Sequence, residues 1–148
     1  MTPRAETLLM LAARAQHVEQ VIEPALAAGR DVVCDRFSGS TVAYQGYGRG
    51  LDPAELAHLS SWASAGLEPD LVILLSVSPE EACRRRARRR AGSGGTDDRI
   101  EAEVAGFHDR IGAGFARLAA ADPGRWRVVD GSGPVAAVAA RVAAAITP

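Results

Sequence analysis

An uninterrupted apolar run, LVILLSV, occupies residues 71–77 and follows Pro69 and Asp70. The run does not alternate between apolar and polar residues, and this pattern is typical of a strand that is covered on both faces in a parallel sheet. Two shorter runs, DVVCD at residues 31–35 and WRVVD at residues 126–130, are predicted as two further strands.

Helical patterns fill most of the chain around these three runs. Helices are predicted over residues 2–28, 53–65, 98–121 and 134–146, and another begins at Pro79 and enters an arginine-rich run. Thr2 is predicted to cap the first helix, Pro24 to kink or restart it, and Gly29 to end it. This alternation predicts an α/β domain with a mainly parallel sheet, as one domain over residues 1–148.

Bulk composition excludes several classes of function. The 148 residues are 47% apolar with a formal net charge of −1, so the chain is not a polybasic nucleic-acid binder. No apolar run approaches about 18 residues, so no membrane span is expected. All 17 basic residues are arginine, which excludes lysine chemistry and a complete GxxxxGK[ST] phosphate loop. Two distant cysteines and no secretory leader pattern favour a reduced, cytoplasmic protein.

Polar side chains are densest in DRFSGSTVAYQGYGRG, at residues 35–50, where a Gly- and Ser-rich loop is predicted over residues 36–52. Asp35 stands at the predicted strand end, where a carboxylate can hold a metal-bound water or orient an arginine. Arg36 offers a planar fork for a phosphate. Further directional polar groups come from Ser40, Thr41, Tyr44 and Gln45. The residues alone fit either an anion and polar-ring site or an internal Asp–Arg pair beside a surface loop.

Six arginines lie within residues 84–90. Such a run is usually a solvated face or an electrostatic patch. Nucleic-acid binding would usually need interleaved aromatic residues or a wider basic surface, and the sequence has neither. The three histidines show no metal-ligand spacing, so no resident metal site is predicted.

The 35–50 stretch resembles the signature of thymidylate kinases, in which a strand ends in Asp-Arg-aromatic and a Ser-Thr-x-Ala-Tyr-Gln-Gly loop follows. Residues 5–17, AETLLMLAARAQH, resemble the family's preceding helix, and residues 24–26, PAL, match its end. Residues 69–80 resemble its next strand and turn, and residues 98–101, DRIE, resemble the segment that closes its lid. The resemblance covers nearly the whole chain, in order.

The resemblance implies a P-loop-kinase-like parallel sheet with flanking helices. It also implies that the family's first strand, phosphate loop and second strand are absent from this chain. The second of those strands would lie between the runs at 31–35 and 71–77. Residues 1–148 would then be a single incomplete nucleoside monophosphate kinase domain, with a lid at about 84–99.

The resemblance also implies roles for individual residues. Arg36 would bind the acceptor phosphate, and Asp35 would lie close to magnesium and the phosphates. Arg14 would hydrogen-bond the thymine ring, and Thr41 would make a polar contact to the base. Tyr44 would pack against the deoxyribose and disfavour a ribose 2′-hydroxyl, and Gln45 would line the same pocket.

Two positions leave alternatives open. Met10 stands where the family usually has a phenylalanine stacked on thymine, so it either packs on the base through its sulfur or belongs to the core. Arg85 and Arg89, four residues apart, could project together as lid arginines over the ATP phosphates.

The implied activity is transfer of the ATP γ-phosphoryl to dTMP, giving dTDP and ADP, with Mg²⁺ bound to ATP. The implied protein is a cytoplasmic homodimer formed through the long N-terminal helix, without nucleic-acid or membrane partners. Because the donor loop is absent, we expect no kinase activity from this chain alone. The alternatives are a related kinase with altered base choice and a non-catalytic fragment that binds a nucleotide or dimerises.

Overall fold

The computed structural model describes residues 1–92 and 105–147. They form two compact units. The first unit consists of Met1–Pro69 and Arg110–Leu118, and the second of the described residues within Asp70–Asp109 and Ala119–Pro148. The single-domain organisation stays a prediction.

The first unit begins with a long helical rod, as the sequence predicts. Helix α1 (Pro3–His17) passes into a π-helical segment (Val18–Ile22) and restarts as α2 (Glu23–Ala27). The Thr2 hydroxyl accepts a hydrogen bond from the backbone N–H of Ala5 at 3.4 Å, which confirms the predicted cap. The restart lies at Pro24, whose ring removes a backbone donor from the helix.

The prediction of a strand at residues 31–35 is wrong. These residues belong to no strand in the structure, and Val33 is 98% exposed. A strand needs a neighbour for its backbone hydrogen bonds. The described residues of the first unit supply no such neighbour, so this apolar run stays unpaired.

The prediction of a loop over residues 36–52 is also wrong, because most of this stretch is helical. It forms α3 (Ser38–Thr41) and a second π-helical segment (Val42–Gly48), which pack against α4 (Pro53–Ala63). Val42 and Ala43 are buried there, and a Cβ on Gly46 would lie 3.3 Å from Leu56 Cδ1. Burial of these residues outweighs the poor helix propensity of the glycines.

The second unit contains the two strands that were predicted correctly. Strands β1 (Val72–Ser76) and β2 (Trp126–Asp130) pair in parallel over five residues each. The predicted coverage of both faces is wrong, because Leu75 is 53% and Val128 is 61% exposed. A sheet of two strands leaves much of its surface uncovered.

The remaining helices are α5 (Pro79–Gly92), α6 (Ala105–Ala121) and α7 (Val135–Ile146), of which α7 packs against β2. They match the predicted positions within the described part of the chain. The predicted lid at about 84–99 lies partly, and the segment at 98–101 wholly, outside the described residues. None of the helices within residues 1–92 and 105–147 is long and apolar enough to cross a membrane.

Candidate functional site

Arg14 and Thr41 meet in the first unit although they lie on different helices. Arg14 Nη2 donates a hydrogen bond of 2.6 Å to Thr41 Oγ1, and the guanidinium carbon lies 5.0 Å from the centre of the Phe37 ring. The Nε atom of Arg14 is buried and has no hydrogen-bond partner. Burial lowers the pKa of Arg14, but arginine starts so high that it keeps its charge near neutral pH. One N–H donor of this cation therefore has no hydrogen-bond acceptor among the residues that the structure describes.

Arg36 and Tyr44 form a second pair in the first unit. The Arg36 guanidinium carbon lies 4.8 Å from the centre of the Tyr44 ring, and the edge of Phe115 meets that ring at 6.2 Å. Arg36 has a φ of +72°, a conformation that non-glycine residues adopt at a cost of about 1–3 kcal/mol. The Cys34 thiol donates to the Arg36 carbonyl at 3.2 Å and supports this backbone.

Phe37 links these two pairs, because it directly follows Arg36 in the chain and its ring lies next to the Arg14 guanidinium. We call this set the Phe37 cluster; its members are Arg14, Arg36, Phe37, Thr41 and Tyr44. The cluster places two guanidinium groups, one hydroxyl and two aromatic rings in one part of the first unit. Such groups can bind an anion and a flat polar ring.

Gln45 points away from solvent and is held by an acidic residue that the sequence reasoning did not select. Its Nε2 donates 2.8 Å to Glu6 Oε1, and both residues are 4% exposed. Arg49 completes the set, because its Nε and Nη2 donate to the two Glu6 carboxylate oxygens at 3.3 and 3.1 Å. We call these three residues the Glu6 network.

Met10 and Asp35 are the remaining predicted site residues of the first unit. Met10 lies four residues before Arg14 on α1 and is 46% exposed, so the alternative of plain core packing is wrong. Asp35 is exposed and precedes Arg36. In the described part of the chain, no three His, Cys, Asp or Glu side chains are grouped to hold a metal ion.

Arg85 lies in the second unit, beside a cavity of about 570 Å³. Arg85 Nη2 donates to the Gly131 carbonyl at 3.0 Å, and its Nε donates to Glu81 at 2.6 Å. This hydrogen bond lowers the pKa of Glu81. The cavity combines the arginines Arg84, Arg85 and Arg88 with apolar residues that include Leu75, Val135, Val138 and Val142. The side chain of Arg89 lies outside the described residues.

One wall of this cavity is the loop that follows β2. Asp130 accepts hydrogen bonds from the backbone N–H and the hydroxyl of Ser132 at 2.9 and 2.8 Å, and these bonds lower the pKa of Asp130. Arg141 donates to the carbonyl oxygens of Asp130 and Ser132. The loop is therefore held in shape by side chains on both sides.

Sequence reasoning missed Glu6, Arg49, Phe115 and Arg141. Glu6 has the pattern of an ordinary acidic residue in a first helical turn, which favours the helix dipole without any further partner. Its burial depends on residues about 40 positions away, and no local pattern indicates that contact.

Comparison with known proteins gives a consistent result. The family model for thymidylate kinase matches residues 1–142. A thymidylate kinase of Solidesulfovibrio magneticus is 52% identical over 141 residues, which span 94% of this chain and 68% of that protein. Thymidylate kinases of Gloeobacter violaceus and Geotalea uraniireducens are 49% and 46% identical, each over 99% of this chain and 68% and 69% of their own length. The chain belongs to the thymidylate kinase family.

Proposed function

We propose that this protein serves the transfer of the ATP γ-phosphoryl group to dTMP, giving dTDP and ADP in nucleotide biosynthesis, and that the first unit binds dTMP. The observation that carries the proposal is the Phe37 cluster. Each of its two arginines lies against an aromatic ring, Arg14 at Phe37 and Arg36 at Tyr44, and Arg14 is also held by its hydrogen bond to Thr41.

The base is assigned to the Arg14 side of the cluster. Thymine carries two carbonyl oxygens and one ring N–H, so it can accept from Arg14 and exchange a hydrogen bond with the Thr41 hydroxyl. The partnerless Nε of Arg14 supports this assignment, since a buried donor without a partner is costly. Met10 is exposed one turn earlier on α1 and offers its thioether to the face of the base.

The phosphate and sugar are assigned to the Arg36 side. The exposed guanidinium of Arg36 can bind a phosphate through two parallel hydrogen bonds. The strained backbone at Arg36 supports a functional role, because strain of this kind collects at binding sites. Tyr44 packs against the deoxyribose, and its ring would exclude a 2′-hydroxyl. Gln45 directly follows Tyr44 and is held in place by its hydrogen bond to Glu6.

The donor side is assigned to the second unit, with Arg85 and Arg89 over the ATP phosphates. Support comes from the cavity beside Arg85, which joins three arginines to an apolar wall. Phosphoryl transfer develops charge on the moving group, and positioned guanidinium groups stabilise that charge without a covalent intermediate. On the acceptor side, Arg36 would hold the phosphate of dTMP.

Asp35 is the described carboxylate that fits magnesium on the acceptor side. Protein sites usually bind this ion through one or two carboxylates together with substrate phosphates and water, so a single exposed aspartate suits it. Bound to ATP, Mg²⁺ would neutralise charge on the phosphates. The chain contains no lysine and hence no complete GxxxxGK[ST] loop, so we expect no turnover from these 148 residues alone.

We also propose a cytoplasmic homodimer formed along the N-terminal helical rod. Large apolar side chains are exposed on that rod; they are Leu8, Leu9, Val21 and Leu26. The free thiols Cys34 and Cys83 suit a reducing compartment. Analytical ultracentrifugation should show a dimer that Leu8→Glu converts to a monomer.

A nucleotide panel tests the proposed function. Calorimetric titration of the 148-residue chain with dTMP, dUMP, dCMP and dGMP should show the tightest binding for dTMP. A coupled assay with ATP, Mg²⁺ and dTMP should show no ADP formation above a blank. Tighter binding of another base would favour a kinase with altered base choice, and failure to bind any of the four would contradict the acceptor assignment.

A further inference from the structure

We propose that Glu6 is a positioning residue for the acceptor site. Its buried carboxylate fixes the π-helical segment Val42–Gly48 on helix α1 and so determines where Tyr44 stands. This inference rests on the function proposed above, because there Tyr44 contacts the sugar.

The chemistry of the Glu6 network argues for a geometric role. A carboxylate that is 4% exposed is costly to bury unless it is paired and hydrogen-bonded. Here Arg49 donates to both carboxylate oxygens, and Gln45 donates to one of them. Well-packed apolar residues would often stabilise a fold as much as such a buried pair does. What the Glu6–Arg49 pair adds is a fixed geometry, since two parallel Arg–carboxylate hydrogen bonds fix both the distance and the angle between the two side chains.

The segment that Glu6 holds needs such a constraint. A π-helix is rare and is frequently found at functional sites. This one contains Gly46 and Gly48, and glycine is among the weakest helix formers. Gln45 stands directly after Tyr44, and Arg49 follows the last residue of the segment. One carboxylate therefore fixes the segment next to Tyr44 and again at its end.

The position of Glu6 on α1 links this segment to the base side of the site. Glu6 precedes Arg14 by eight residues, which is slightly more than two helical turns, so the two side chains leave similar faces of the helix. Glu6 holds the segment that carries Tyr44, while Arg14 holds Thr41 just before that segment. Together, the two hydrogen bonds fix the position of Tyr44, which is proposed to contact the sugar, relative to Thr41, which is proposed to contact the base.

Loss of the Glu6 carboxylate should therefore affect sugar discrimination more than overall affinity. The sugar probe is 5-methyluridine 5′-monophosphate, the ribose counterpart of dTMP. A general loss of folded protein weakens binding of both nucleotides by the same factor and leaves their ratio unchanged. If Tyr44 is displaced, its ring no longer excludes the 2′-hydroxyl, and the preference for dTMP over the ribose nucleotide falls.

The experiment measures the dissociation constants of both nucleotides by calorimetry on the full 148-residue chain. Wild type should prefer dTMP, and Glu6→Gln, which keeps the side-chain volume but removes the charge, should lower that preference about tenfold. Glu19→Gln is the matched control, because Glu19 is exposed on the same helical rod, and it should keep the wild-type ratio.

A second variant covers the case in which Glu6→Gln does not fold. Glu6→Ala combined with Arg49→Ala removes both charges together, so neither partner of this pair stays behind as a buried charge without the other. Circular dichroism shows which variant is folded. That variant should show the same fall in the preference for dTMP over the ribose nucleotide. An unchanged ratio in a folded variant overturns the role of Glu6 while the proposed function stands. A wild-type chain that binds neither nucleotide overturns the proposed function, and the role of Glu6 falls with it.

Discussion

The Arg14 guanidinium donates a hydrogen bond of 2.6 Å to the Thr41 hydroxyl, across 27 residues of chain. This bond joins the long N-terminal helix to the segment that carries Tyr44. It also holds Arg14, whose buried Nε has no hydrogen-bond partner among the described residues. If the first unit binds dTMP as proposed, the hydroxyl of Thr41, rather than its bulk, should matter for binding.

Thr41→Val is expected to weaken dTMP binding about tenfold, because Arg14 loses its acceptor and its fixed direction. Thr7→Val is the matched control. Thr7 is equally buried on α1, but its hydroxyl bonds only to the Pro3 carbonyl at 2.9 Å among the described contacts. Calorimetry should show near-wild-type affinity for the control. Equal affinities in the two variants would contradict the role of the Thr41 hydroxyl.

Cys34→Ala is expected to weaken dTMP binding about threefold, because the strained Arg36 backbone loses the thiol that donates to its carbonyl. Cys34→Ser keeps a donor at that position and should retain the affinity. Cys83→Ala changes an exposed cysteine of the second unit and should have no effect. A Cys34→Ala chain that binds as tightly as the Cys34→Ser chain would refute the support given to Arg36.

Gly114→Ala is expected to destabilise the protein by about 1–3 kcal/mol. A Cβ at Gly114 would lie 2.6–2.9 Å from the Cβ and ring carbons of Tyr47, which packs against this part of α6. Gly112 lies on the same helix with open space around it, so Gly112→Ala should stabilise by roughly 0.5–1 kcal/mol. Thermal unfolding should move in opposite directions for the two variants, and a shift in the same direction argues against the close packing.

The pH dependence of the loop after β2 follows from Asp130. Hydrogen bonds from Ser132 lower the folded-state pKa of Asp130, so folding favours the carboxylate. That contribution is present above the ordinary aspartate pKa of about 3.9 and is lost as the pH falls through the lowered value. Ser132→Ala removes the hydroxyl donor and should raise the Asp130 pKa towards its ordinary range. A carbon-13 titration of the Asp130 carboxyl group measures the change, and an unmoved midpoint would disprove the cause assigned to Ser132.

Local signals in the sequence predict the ends of the helices and two of the strands. Thr2 caps α1 as its residue type suggests, and the apolar runs at 71–77 and 126–130 pair in parallel. The run at 31–35 has the same local pattern but forms no strand. A strand is defined by its neighbour, and the run's own composition carries no information about that neighbour.

Long-range contacts explain the other differences. The glycines and serines of residues 36–52 predict a loop, yet burial of Val42 and Ala43 against α4 makes the stretch helical. The family resemblance placed Arg14 and Thr41 in one site, but no spacing rule predicts that they bond to each other. The contacts of Glu6 could not be predicted from local sequence, because its partners Gln45 and Arg49 lie about 40 residues away.

The central claim is that the Phe37 cluster binds dTMP through Arg14. Nitrogen-15 NMR of the arginine Nε–H groups, during titration of the 148-residue chain with dTMP, tests it most directly. The account predicts that the Arg14 Nε–H resonance moves with saturating dTMP, while that of Arg127, an exposed residue of β2 in the second unit, stays in place. An Arg14 resonance that does not move while dTMP binds would contradict the account.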